Sequence, residues 1–140
     1  MVDGRAADGR AMTAPAAPSI RDRRDDLAET AAAIAACRAA DAPSRDLDAR
    51  IARAVFPALA ALPPVEPGVW QGEDGGRVRA LRYTGSRSAA ATLVPPGCWI
   101  DAGGSAVTVA GAEGEWTGTH PVEAIALCIA ALRARLAGPP

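Results

Sequence analysis

Lysine and asparagine are absent from this chain of 140 residues, and all 15 of its basic residues are arginine. Both missing residues use AT-rich codons, so the omission points to a GC-rich genome rather than to a binding surface; arginine keeps its planar hydrogen-bonding fork whatever the reason for its use. Charge of one sign is lacking too. The net charge of −1 and pI near 5.8 supply no global field that would draw in nucleic acid or an anionic membrane. Cys37, Cys98 and Cys128 are odd in number, far apart and outside any CxxC spacing, which argues against a disulfide framework and against a zinc site. No run of about eighteen apolar residues occurs, and the first residues contain no continuous apolar segment of the kind a secretory signal needs. The glycines form neither a GxxxxGK[ST] loop nor a GxGxxG turn opening a helix, so GEDGG at 72–76 and the glycines at 103–104 and 111–118 read as turn residues. Aromatic residues make up only 4% of the chain, and much of its 49% hydrophobic content is alanine, which buries little surface. A small core follows.

What is present is best read along the chain. Residues 1–24 mix Gly, Ala, Pro, Asp and Arg without periodicity, the composition of a disordered, dispensable tail, and Met12 is an alternative start to Met1. Residues 25–138 are expected to form one small domain, within the length of a single unit. Its first helix spans Asp25 to about Ala40, with few large apolar anchors (Leu27, Ile34, Cys37), and is expected to dock loosely. Ser44 caps a second helix, DLDARIARAVF, with Leu47, Ile51, Val55 and Leu59 on one face. A Pro/Gly-rich loop occupies about 57–76, where three prolines and four glycines surround Trp70 between Leu62 and Gly76. Trp70 is therefore expected to be exposed.

Arg77 to Tyr83 alternates impurely and suits an edge strand. Ser86 caps a short helix running to about Val94, which Pro95-Pro96-Gly97 stops. Cys98–Ala102, Ala106–Ala110 and Glu115–Thr117 are short runs separated by glycine turns, the spacing of an antiparallel meander. Trp99 and Trp116 are its heavy side chains, and both are expected to be at least half buried. The closing helix carries Val122, Ile125, Ile129, Leu132 and Leu136 on one stripe, with Leu127, Cys128 and alanines covering much of the rest. A helix apolar nearly all round is either buried or shared with a partner. The fold class is α+β: a short antiparallel sheet of three to four strands packed against helices in an α/β/α-type layered arrangement.

YTGS entering the Ser86 helix, then LVPPGCWIDAG, then HPVEAIALCIAALRARL resemble the pattern YTxSxDAA, LVPxGW and TPALALCxAALRA of small bacteriophage proteins described as the phage ABA sandwich domain. The matching positions are Tyr83-Thr84, Ser86, Ala89-Ala90, Leu93-Val94-Pro95, Gly97, Trp99, Pro121 and Ala124 through Ala134. They cover roughly half of the chain, with DLDARIARAV a weaker extension upstream. Ser88 stands where the pattern has an acidic residue, and Cys98 is an extra residue between Gly97 and Trp99. The resemblance implies a helix–sheet–helix layered fold and a phage or prophage origin, and the scattered cysteines with no secretory signal make the cytoplasm of the bacterial host cell the expected place. It implies no activity.

The chemistry-bearing residues are few. His120 is the only histidine and would be the acid–base group if the chain were a small enzyme; its place before Pro121, with Glu123 three positions on, favours a helix start instead. Arg77, Arg79, Arg82 and Arg87 surround Tyr83 and are the residues an alternative, nucleic-acid-contacting function would use, although arginines on a strand edge also prevent edge-to-edge pairing. The αβββα order resembles a double-stranded-RNA-binding domain, but His120 and Glu123 stand where that module needs lysines. Asp46 and Asp48, and Glu113 and Glu115, read as solvated charges. No catalytic, cofactor-binding or metal-ligating residue is assigned. The favoured expectation is a non-catalytic protein-binding or assembly module without cofactor. It would bind another protein or self-associate, through Leu127 and Ala131 if the upstream helices leave that strip of the last helix uncovered.

Overall fold

A computed structural model of the chain describes residues 20–103 and 106–137, with the side chains described from Arg24 onward. The stretch read as a tail therefore lies mostly outside the described residues. The first helix, α1 (Ile20–Ala39), begins five residues before Asp25. Its docking is confined to its second half: Ala33, Ile34 and Cys37 are buried, whereas Leu27 is 48% exposed. α2 (Arg45–Val55) follows, and the Ser44 hydroxyl accepts the Leu47 N–H at 3.1 Å as its N-cap. Pro57 has no N–H to continue the helix. The chain passes into a 3-10 turn at Pro57–Ala61, with Leu59 buried and Phe56 left exposed at the corner.

Two short sheets complete the fold, which is α+β. In the first, β1 (Pro64–Glu66), β2 (Val69–Gln71) and β3 (Arg77–Arg79) form an antiparallel meander in that order. The region read as a loop thus holds two strands. Gly68, at φ +81°, makes the β1–β2 turn, a backbone conformation that disfavours side chains. Trp70 is not exposed but only 3% accessible. Strands of three residues flanked by Pro and Gly carry too little alternation to be seen in sequence.

α3 (Arg87–Ala91) is capped by Ser86 and stops three residues short of Val94. The second sheet is the expected meander: β4 (Trp99–Gly103), β5 (Ala106–Gly111) and β6 (Gly114–Thr119), with Trp99 opposite Ala110, Ile100 opposite Val109 and Val109 opposite Trp116. Side chains alternate across a sheet, so Ile100, Val107, Val109 and Trp116 share the inner face and Trp99 points outward with Ala110 and Thr108. Trp116 is half-buried as expected; Trp99 is 60% exposed, contrary to expectation. Register rather than size decides its fate. Trp99→Ala is accordingly expected to change stability by less than about 0.5 kcal/mol, the range of plain surface substitutions, and Trp70→Ala to cost about 3–5 kcal/mol. Urea melts of the two variants check this.

α4 (Glu123–Ala137) closes the chain. β5 and β6 pack on it from one side, α1 and α3 also pack against it, and ten of its residues are buried. The strip containing Leu127 and Ala131 is covered from within: both residues are wholly inaccessible, so neither can form an interaction surface in this fold. β6 approaches the helix so closely that a Cβ on Gly118 would fall on the Ala126 carbonyl oxygen, 2.8 Å from the Ala130 nitrogen and 2.9 Å from Ile129 Cβ. Only glycine fits there.

Candidate functional site

Asp48 is the only buried carboxylate among the described residues. It is 2% exposed, not solvated as its spacing from the exposed Asp46 suggests. Its Oδ1 accepts the Thr84 N–H at 2.9 Å and the Thr84 hydroxyl at 2.7 Å, and its Oδ2 accepts Arg45 Nη1 at 2.9 Å. Arg45 in turn donates to the carbonyls of Leu81, Gly68 and Ala80 at 3.2, 3.3 and 2.9 Å. The network joins the first turn of α2 to the β1–β2 turn and to the segment after β3. Every strong acceptor in it is used, which is what a buried carboxylate requires. Its role is to hold the first sheet's β1–β2 turn and the segment after β3 on the helical body.

His120 is similarly committed. Its Nδ1 accepts the Val122 N–H at 2.9 Å, which places the ring proton on Nε2, 2.6 Å from the Ala40 carbonyl it donates to. The side chain holds the entry to α4 and ties it to the end of α1. The helix itself starts at Glu123, two residues after Pro121.

Cys37 and Cys128 are buried, and Cys128 Sγ donates to the Tyr83 carbonyl at 3.3 Å. Burial, with Asp48 adding to it, pushes the Cys37 thiol up to about 12; burial raises Cys128 as well, with smaller contributions from Cys37 and Asp48. A thiol whose folded pKa lies above its unfolded value contributes stability that is intact below the unfolded value, ordinarily 9.0, and is lost as pH rises toward the folded one. Stability should therefore fall between about pH 9 and 12. At pH 8 a thiol reagent should label only the partly exposed Cys98, and all three cysteines in denaturant, as read by intact mass.

Arg77 and Arg79 lie two apart on β3, Arg82 is exposed beyond it, and Arg87 sits on α3 with Glu123 at 3.7 Å. Glu113 and Glu115 are exposed. No group of His, Cys, Asp and Glu among the described residues could hold a metal ion, and no described helix is long and apolar enough to cross a membrane.

One sizeable concave surface among the described residues was not visible in the sequence. A groove of about 900 Å³ runs between the end of α2 with its 3-10 turn on one side and the β2–β3 face with Leu81 and Tyr83 on the other. Its lining is mostly apolar. Phe56, 55% exposed, and Leu81, 48% exposed, stand in its walls with Val78, so three of the large hydrophobic side chains that the fold leaves in water converge on one place. Tyr83, Leu93 and Arg135 close one end; Glu73 and Asp74, in the β2–β3 turn, line it as well. A second hollow of about 650 Å³, between α2 and β1, is more polar and includes Asp46, Arg50 and Arg53.

No family model matches the chain, and neither does any curated protein or solved structure. The groove and its residues thus carry the functional argument alone. Its contributors are separated in sequence: Phe56 marks a helix end, Leu81 follows a strand, and Arg135 is in the last helix. The one available signal was that the chain's single Phe and single Tyr both fall there.

Proposed function

We propose that this chain is a phage or prophage accessory protein of the bacterial cytoplasm that acts without catalysis, by docking an apolar segment of another protein in the groove beside β3. The phage origin rests on the resemblance of YTGS, LVPPGCW and HPVEAIALCIAALRARL to the ABA sandwich pattern. The observation that carries the docking role is the convergence of Phe56, Val78 and Leu81 on a single apolar groove. Apolar side chains gathered on a small domain lower its solubility unless a partner covers them. Self-association through Leu127 and Ala131 is not part of the reading, since both are buried.

The test is photo-crosslinking in host cells from a benzophenone residue placed at Thr92, which lines the groove and is exposed. A discrete adduct that disappears in the Phe56→Glu, Leu81→Glu double variant is expected. An adduct pattern identical in the double variant, with that variant still folded, would overturn the reading.

A further inference from the structure

Tyr83 lines the groove yet is only 3% exposed, and its hydroxyl has no hydrogen-bond partner among the described residues. A buried phenol ordinarily finds one, because leaving a donor unpaired away from water is costly. Beside it, Arg135 donates from Nε to the Leu93 carbonyl at 2.6 Å. That bond anchors the guanidinium and leaves its two Nη groups for something else. Both side chains line the same groove, and there the Arg135 charge opposes the rise that burial gives the Tyr83 pKa. One end of an apolar groove thus presents a hydroxyl donor and an anchored cation, an arrangement complementary to a carboxylate.

The wall of the groove adds a second requirement. The Ala80 N–H donates to the Gly68 carbonyl and the Gly72 N–H to the Gly76 carbonyl, so in the register Trp70 opposite Val78 the hydrogen-bonded pairs fall on even numbers. The backbone groups of Arg77 and Arg79 therefore point outward from β3, the edge strand of its sheet. A strand added there sends every second side chain to the Val78 face, into the groove. An alkyl acid has no groups for that edge; a peptide has.

We infer that the groove recognises the C-terminal tail of a partner protein, with its free carboxylate on the Tyr83 hydroxyl and Arg135 and its apolar side chains against Phe56, Val78 and Leu81. The inference rests on the docking reading above. Glu73 and Asp74, which repel a carboxylate, set the direction: the tail ends at Tyr83 and Arg135.

The full chain, immobilised, is offered two random octapeptide pools of equal design, one with free C termini and one amidated. Enrichment of sequences with apolar last residues from the free-acid pool is expected. The best of them should bind about tenfold more tightly than its own amide, the worth of a charge-assisted hydrogen bond or two. Tyr83→Phe, which removes one oxygen and should leave the fold intact, and Arg135→Gln should each shrink that ratio toward one. Equal enrichment of the same sequences from both pools overturns the carboxylate inference and leaves the docking reading standing. Failure of both pools to bind better than they bind the Phe56→Glu, Leu81→Glu variant overturns the docking reading as well. Saturation by decanoate with no peptide enriched overturns the choice of a protein tail in favour of a free alkyl acid.

Discussion

Gly118→Val should abolish cooperative folding or cost about 3 kcal/mol or more, the upper end of what overpacking costs. The added Cβ would meet the backbone of Ala126 and Ala130 on α4. Backbone atoms cannot rotate aside as a side chain can, so β6 or α4 has to move bodily. β6 is hydrogen-bonded along its length to β5, and α4 is buried on nearly all sides. A domain of about a hundred residues holds only about 5–15 kcal/mol in total, so the loss is a large share of it. Gly103→Ala is the control, because no atom of the described residues lies within 4 Å of a Cβ there and the φ is ordinary. Circular dichroism melts should show Gly103→Ala within a degree or two of wild type and Gly118→Val without a cooperative transition. A native-like melt for Gly118→Val would show that the strand and helix are not in the contact described.

Asp48→Ala is the second large effect, expected to cost about 3 kcal/mol. It strips the partner from the Thr84 N–H and hydroxyl and leaves the Arg45 guanidinium without its carboxylate. Arg45 remains about a quarter accessible and keeps its three carbonyl acceptors, which holds the cost below that of orphaning a fully buried charge. Asp48→Asn keeps an acceptor for Thr84 but sets an amide against Arg45, and should lose about half as much. Denaturant midpoints with unchanged slopes would measure both differences. If Asp48→Ala melts like wild type, the Arg45–Asp48–Thr84 network does not contribute to stability.

Much of the fold could be read in the sequence, and the readable parts share a property. Ser44 and Ser86 cap helices because their hydroxyls reach an N–H three residues away; the meander announced itself by glycines between short runs; the closing helix declared itself by length and apolar content. Each signal lies within one element. The short strands β1 and β2 failed this test because three residues hold no period, and the groove failed it because it assembles residues from five separate segments.

The sequence by itself therefore determined the α+β class, the positions of both serine-capped helices and the second sheet, and the need to bury the last helix. Only the tertiary structure decided what buries it, which tryptophan is covered and where chemistry-bearing groups meet. Trp99 and Trp70 carry the same side chain, but one is set on the outer face by its pairing with Ala110 and the other is enclosed against the helical body. Asp48 is charged wherever it stands, and its burial is tolerable only because Thr84, 36 residues on, and Arg45 are folded against it. Local propensity is set by neighbours a few residues away, whereas burial and pairing depend on partners brought near by the fold, and in this chain every group proposed to bind is of the second kind.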